Sequence, residues 1–344
     1  MLATTANPGT TGGNREYLKD VLTILEPEET PYISMVTKGE TPAGGYIEVL
    51  ASQLRKPRIS GTREGLDASK MNNKAKNRKR FGTYLHRSQD EYGVTDVQQA
   101  VSERGGVAAI NSEFEANKAQ TMREVKRDIE AACCSGQEHV NGNGGDADMV
   151  TRGNFVWLDK QGGTLQTSNP VPTEFLLIDQ TVASDGVGQY RGGITAVTEA
   201  QLNTTLQALA RVYGGKREYN AIAGDLFILN VDNFTRVNSN TTNARYQVRE
   251  HAEDHEITLM VKIFDSSFGR VNLMPTQFNK LSTTGLGDPY AALILNTDLW
   301  EVDFLENLHA VDEDPDAGGK NGYVKAMFAN LCKMPKGNGV LFNT

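Results

Sequence analysis

The sequence has 344 residues, of which 38% are hydrophobic and 23% are charged, and its formal net charge is −8. This composition supports a folded core in about two domains, and the acidic balance argues against a general nucleic-acid binder, which needs cations for phosphates. No apolar run is long enough for a membrane span. The first residues lack a signal-peptide pattern, and the three cysteines include no C-x-x-C pair, so we expect reduced thiols in a cytosolic protein.

The beginning of the chain predicts an arm with two short helices. Residues 1–13 are rich in Thr, Gly and Asn, which is typical of a mobile terminus. Asn14 is a suitable N-cap for a helix that ends at Pro27. A second helix is predicted to start at Thr30 and Pro31, because proline is favoured at the first helical position.

Residues 46–94 predict a strand, a long basic excursion and a second strand-like run. The excursion has few apolar residues, so it cannot form a core of its own, and a loop of this length within a compact domain is usually functional. It contains the main cationic cluster of the chain: Arg55, Lys56, Arg58, Arg63, Lys70, Lys74, Lys76, Arg78, Lys79 and Arg80.

A long amphipathic helix is predicted between Gly105 and Gly136, since no proline or glycine interrupts the residues between them. At 1.5 Å per residue it would be ~43 Å long. The helical period predicts that Glu113, Glu115, Arg123, Lys126 and Glu130 face solvent or other chains. The same period predicts a buried core face made of Val107, Ile110, Phe114, Met122, Val125 and Ile129, followed by Cys133.

The second half of the chain mixes helix and strand signals. Strands are predicted at 155–158, at 224–230, in a pair over 261–275 that breaks at Ser266–Gly269, and at 290–296. The strand at 224–230 is expected to lead through a turn into a short helix. Thr198 and Gln201 form a capping box that opens a helix, and Gly214 ends it. Residues 298–311 favour strand and loop, and 323–334 a strand or short helix. The fold class is α+β.

Catalytic and metal motifs are weak. His251 and His255 have the spacing of a helical metal pair but no third ligand, so a solvated polar segment is favoured. Asp312, Asp314 and Asp316 resemble a calcium loop, but the twelfth position is Tyr323 rather than Glu, which favours an acidic turn. We therefore expect no enzyme activity, no cofactor and no metal.

The order of several motifs resembles a tailed-phage major capsid protein with the HK-97 type of fold. These motifs are PEETPYIS (27–34), SGTREG (60–65), REVKRDIEAA (123–132), MVTRGNFVWL (149–158) and VKIFDSSFGRVNLMP (261–275). The resemblance covers the chain from about Asn14 to about Pro275.

The resemblance implies a division of the chain. It comprises an N-terminal arm (1–45), an extended loop reaching the neighbouring subunit (46–95), and a peripheral domain (96–165) with a spine helix (106–135). An axial domain (166–257), return strands (258–280) and a final segment (281–344) follow. The cationic cluster would then contact adjacent subunits. Some family members cross-link through a loop lysine; Lys70, Lys74 and Lys76 lie in that region, but no acceptor is identified and no cross-link is predicted.

The resemblance implies a capsid function. The expectation is a virion protein, assembled in the host cytoplasm into hexamers and pentamers of an icosahedral head around weakly contacted double-stranded DNA. Scaffolding, decoration and portal proteins are candidate partners, each a separate chain, and no membrane is involved. Two alternatives stay open: a nucleic-acid-binding protein that uses Lys74–Arg80, and the shell protein of an encapsulating nanocompartment.

Overall fold

A computed structural model gives the architecture. It describes residues 30–52, 54, 57, 59, 61, 64–65, 78–105, 113–142, 148–159, 166, 168–177, 189–191, 197–235, 263–279, 289–313 and 318–342. The chain divides into a smaller unit (1–29, 89–126 and 308–325) and a larger unit (30–88, 127–307 and 326–344). The predicted helix over 14–26 lies outside the described residues.

The described part of the chain contains helices and strands, which confirms the α+β class. The helices are α1 (Pro31–Met35), α2 (Asp96–Gly105), α3 (Glu113–Cys133), α4 (Asn154–Trp157), α5 (Glu199–Tyr213) and α6 (Asp225–Thr235). The strands are β1 (Thr37–Lys38), β2 (Tyr46–Ser52), β3 (Arg78–Tyr84), β4 (His86–Val94), β5 (Gln189–Arg191), β6 (Arg217–Ala223), β7 (Ile263–Asp265), β8 (Gly269–Pro275), β9 (Ala292–Leu295), β10 (Trp300–Glu313), β11 (Lys320–Cys332) and β12 (Gly339–Phe342).

The strands form three sheets. One has the order β1-β10-β11-β4, one has the order β5-β12-β9-β6-β8-β7, and the third is the hairpin-like pair β2-β3. In the six-stranded sheet, β6 pairs parallel with β8 and antiparallel with β9. The predicted strand pair over 261–275 is confirmed, because β7 and β8 are antiparallel and separated by the predicted break.

The main core of the larger unit lies between helices and this six-stranded sheet. Leu202, Leu206 and Leu209 of α5 are buried against apolar residues of β6, β8 and β9. The Thr198–Gln201 capping box is confirmed, with reciprocal hydrogen bonds between the two residues. Gly214 ends α5 in the left-handed conformation at φ 74°, which glycine adopts without steric cost.

Two predictions about local structure are wrong, and one helix was missed. The strand predicted at 224–230 belongs to helix α6, because Phe227 and Val231, four residues apart, are both fully buried while Leu229 is half exposed. Residues 154–157 form a helical turn, where four consecutive buried residues hide any period. Helix α2 was not predicted and ends at Gly105.

The long helix is confirmed over α3, whose 21 residues lack proline and glycine. Residues 106–112, including Val107 and Ile110 of the predicted core face, lie outside the described residues. Residues 298–311 belong to one continuous strand, β10, and residues 323–332 to the strand β11.

Candidate assembly interface

The base of the predicted extended loop is a short antiparallel ladder. Strands β2 and β3 pair from Tyr46 opposite Tyr84 to Ser52 opposite Arg78. Phe81 anchors the ladder: its side chain is fully buried, with ring centroids 6.0 Å from Trp157 and 5.7 Å from Phe175. The loop therefore starts from a firmly packed position.

Hydrogen bonds fix the same end of the ladder to residues 148–154. The hydroxyls of Thr83 and Thr151 lie 3.0 Å apart, and the Arg152 amide donates to Thr83 Oγ1 at 2.8 Å. The buried Arg152 guanidinium lies 2.8 Å from Glu138 Oε1. His139 is buried beside it, and burial, with the Arg152 charge second, lowers the pKa of His139 to about 4.

The described cations of the loop lie at the open end of the ladder. Arg78, Lys79 and Arg80 are exposed, and Arg80 Nη1 is 3.7 Å from Glu48 Oε2, a weak exposed pair. The other predicted contact residues lie outside the described residues: Arg55, Lys56, Arg58, Arg63, Lys70, Lys74 and Lys76. Their role in subunit contacts stays a prediction.

Sequence reasoning missed three exposed aliphatic side chains in the segment 50–59, which leads from β2 into the loop. Leu50 is 56% exposed, Leu54 is 81% exposed, and Ile59 is fully exposed. Large exposed apolar patches are typical of protein interaction surfaces, and arginine is enriched at interfaces. The sequence does contain a signal for them: each is an isolated leucine or isoleucine in or beside a basic segment that has too few apolar residues to form a core.

The described part of the spine-helix core face is mostly as predicted. Phe114, Val125 and Ile129 are buried, and Met122 is half-buried. Cys133, also on this face, is fully buried. Arg123 and Lys126 are exposed on the opposite face, as predicted.

Glu130 corrects the prediction for the charged face. Its side chain is fully buried, and its two carboxylate oxygens accept hydrogen bonds from the backbone amides of Tyr32 at 2.7 Å and Ile33 at 2.9 Å. These amides belong to the first turn of α1, where no intrahelical acceptor exists. The helical period assigned Glu130 to solvent because it cannot reveal a partner 97 residues away.

Further hydrogen bonds of Tyr32 and of two asparagines hold α1 in place. The Tyr32 hydroxyl donates to Asn330 Oδ1 at 2.6 Å, and Asn330 Nδ2 donates to Asn154 Oδ1 at 2.7 Å. Tyr32, Asn154 and Asn330 are all fully buried. The end of the arm is therefore held by a buried network of hydrogen bonds. Within the described residues, Asn154 Nδ2 is the one side-chain nitrogen of these three residues that has no partner.

The described residues contain no cluster of three metal-ligating side chains. His251 and His255, and Asp314 and Asp316 of the acidic turn, lie outside those residues. Asp312 accepts hydrogen bonds from Tyr92 and Lys118, which lower its pKa. Burial raises the pKa of the Cys133, Cys134 and Cys332 thiols, so they are poor nucleophiles.

Among the described helices, none combines the length and apolar character that crossing a membrane requires.

Solved capsid structures have a similar architecture. The chain resembles the capsid asymmetric unit of cyanophage A-1(L), with a TM-score of 0.64 and 12% identity over 96% of this chain and 97% of that one. It also resembles the capsid of a native GTA particle, with a TM-score of 0.59 and 10% identity over 100% of both chains. These likenesses assign the HK-97 type of capsid fold, which confirms the expected fold.

Family membership follows from the sequence itself. The family model described as SU10 major capsid protein matches residues 3–344, so the chain belongs to that family of phage-head major capsid proteins. A comparison with curated proteins gave no match. As a shell protein, the chain functions in a homo-oligomer of the virion.

Proposed function

We propose that this protein assembles into the hexamers and pentamers of an icosahedral head that encloses double-stranded DNA. The observation that carries the proposal is the family match across residues 3–344, joined to a capsid fold over nearly the whole chain. The exposed cations and aliphatic groups at the loop base supply a surface for neighbouring copies, and the net charge of −8 disfavours tight binding of packaged DNA. Assembly takes place in the host cytoplasm, and the chain itself has no catalytic role.

The same division of the chain follows from this proposal. The arm (1–45) and extended loop (46–95) join subunits, while the peripheral (96–165) and axial (166–257) domains form the shell wall with the return strands (258–280) and final segment (281–344).

The first test is assembly of the purified chain, with any scaffolding protein of its genome supplied. Electron micrographs should show large hollow particles. Monomers and small closed oligomers under all salt conditions would contradict the proposal.

The second test concerns the loop cations. Replacing Arg78, Lys79 and Arg80 with glutamine should leave the chain folded but prevent assembly, because it removes charge that can pair with an acidic neighbouring copy. The matched control, Arg78→Lys with Arg80→Lys, keeps the charge and should assemble. If the neutralised chain assembles normally, these residues are not subunit contacts.

An encapsulating nanocompartment is the second candidate, because the SrpI encapsulin of Synechococcus elongatus PCC 7942 has the same fold, with a TM-score of 0.51 and 11% identity over 94% of this chain and 91% of that one. Particles isolated from the source should separate the two. Nuclease-protected double-stranded DNA supports the phage head, whereas protein cargo without DNA supports the nanocompartment. A nucleic-acid-binding protein would instead show salt-dependent DNA retention by the unassembled chain.

A further inference from the structure

Residues 37–40 cover a buried carboxylate on strand β10, within the larger unit. Strand β1 is two residues long and pairs parallel with β10 at the edge of its sheet, and the amide of Gly39 donates to Val302 O at 3.2 Å. Asp303, the next residue of β10, is only 6% exposed. A pairing this short at a sheet edge can open locally while the rest of the fold persists.

Gly39 lies directly against this carboxylate. A Cβ atom at Gly39 would overlap Asp303 Oδ1 and would lie 3.4 Å from Glu301 Oε2. Within the described part of the chain, Asp303 Oδ1 is buried and accepts no hydrogen bond. An ionised carboxylate with a buried, unpaired oxygen is strongly disfavoured. The closed position of residues 37–40 therefore favours the neutral acid.

The charges around Asp303 act in the same direction. Burial first and the charge of Glu301 second raise the pKa of Asp303 to about 6, and Glu40, which directly follows Gly39, adds a smaller effect of the same sign. Lys333 lowers this pKa, but its ammonium group is already paired with Glu301. The covering segment thus brings a further carboxylate towards Asp303 rather than a cation.

The two strands beside β10 supply no compensating cation. Residues 326–332 of β11 contain no charged side chain, and their one titratable group is the fully buried thiol of Cys332. On β1, Lys38 Nζ lies 5.6 Å from the ring centroid of Phe304. Within the described residues, neither strand forms an ion pair with Asp303, so its ionised form gains nothing from them.

Both ends of the covering segment are held independently of Asp303. Before it, the Glu130 carboxylate fixes α1 through two backbone hydrogen bonds. After it, the amide of Leu85 donates to Gly45 O at 3.1 Å, next to the β2-β3 ladder. Residues 37–40 can therefore leave β10 while α1 and the ladder stay in place.

We propose that residues 37–40 are a pH-sensitive clasp on β10, which is closed while Asp303 is protonated and is released when Asp303 ionises. Release exposes the carboxylate to water and frees the connection between α1 and the extended loop. The opening constant should rise about tenfold per pH unit between the ordinary aspartate pKa of 3.8 and the raised value of about 6, and stay constant above it. The clasp lies within one subunit and does not depend on the proposed shell function.

Hydrogen–deuterium exchange of the soluble full-length chain tests the clasp, with fragmentation that resolves the amide of Gly39. After correction for the intrinsic exchange rate at each pH, protection of this amide should fall about tenfold between pH 5 and pH 8. Protection over α1 (residues 31–36) should change less than about threefold, because Glu130 holds that helix. Constant protection at Gly39, or an equal loss over α1, would overturn the proposal.

Three variants separate the Asp303 carboxylate from general effects of pH. Asp303→Asn removes the titrating group and should hold the protection at Gly39 constant to within about twofold over this pH range. The matched control Asp298→Asn removes an exposed carboxylate just before β10 and should keep the fall of about tenfold. Gly39→Ala should release the clasp at pH 5 as well, because the added methyl group overlaps Asp303. A persistent fall in Asp303→Asn, or full protection at pH 5 in Gly39→Ala, would refute the clasp.

Discussion

Replacing Glu130 with alanine should detach the end of the arm from the spine helix. The carboxylate accepts two backbone hydrogen bonds, at 2.7 Å from Tyr32 and 2.9 Å from Ile33, and is fully buried. A hydrogen bond to a charged group contributes about 1.5–3 kcal/mol. The change also leaves two amides of α1 without an acceptor, so we expect the free energy of unfolding to fall by about 3–5 kcal/mol.

Urea unfolding followed by tryptophan fluorescence measures this loss directly. Trp300 lies 6.1 Å from the Tyr32 ring, so its native emission should also change if α1 moves away. Glu130→Gln keeps one carbonyl acceptor and should lose about half as much. Lys126→Ala, one turn earlier on the exposed face, is the control and should lose under 0.5 kcal/mol, roughly the usual effect of a surface change. If Glu130→Ala costs less than about 1 kcal/mol, the carboxylate does not hold the arm.

Three further changes test other parts of the structure. Asp303 is buried, and its pKa is raised to about 6 by burial first and by the charge of Glu301 second, so the ionised carboxylate destabilises the fold at pH values above its pKa. Asp303→Asn should therefore raise the free energy of unfolding by roughly 2 kcal/mol at pH 8 and hardly at all near pH 4. Equal effects at the two pH values would refute the raised pKa. Val125→Asp buries an unpaired charge and should abolish the native circular dichroism spectrum, whereas Lys126→Glu should preserve it; a native spectrum for both would disprove the packing of α3. Phe81→Ala should cost about 3–5 kcal/mol in urea unfolding and make the loop base protease-sensitive, and Phe81→Leu distinctly less; equal losses would show that aromatic volume is unimportant there.

Local signals predicted the elements whose determinants lie close together in the sequence. The Thr198–Gln201 capping box and Gly214 mark both ends of α5. The break at Ser266–Gly269 marks the turn between β7 and β8. In each case, the residues that define the element are at most nine positions apart in the sequence.

Long-range partners account for what the sequence did not reveal. The helical period places Glu130 on the exposed face of α3, yet its carboxylate accepts a hydrogen bond from the amide of Ile33, 97 residues earlier in the chain. A groove of about 680 Å³ in the larger unit is lined by residues of β2 and the loop base, of α5 and of the segment before β12. These residues lie far apart in the sequence, so no spacing pattern could have predicted that they meet. Residues 154–157 are all buried, so the spacing of apolar and polar residues there cannot distinguish a helix from a strand.

The placement of β12 has a consequence for synthesis. This strand lies between β5 and β9, with parallel pairing on one side and antiparallel pairing on the other. Until residues 339–342 leave the ribosome, both neighbours present unpaired edges on the nascent chain. Unpaired strand edges of this kind make incompletely folded chains prone to aggregation. The rate of successful subunit production should therefore depend on chaperone capacity during translation as well as on the stability of the finished fold.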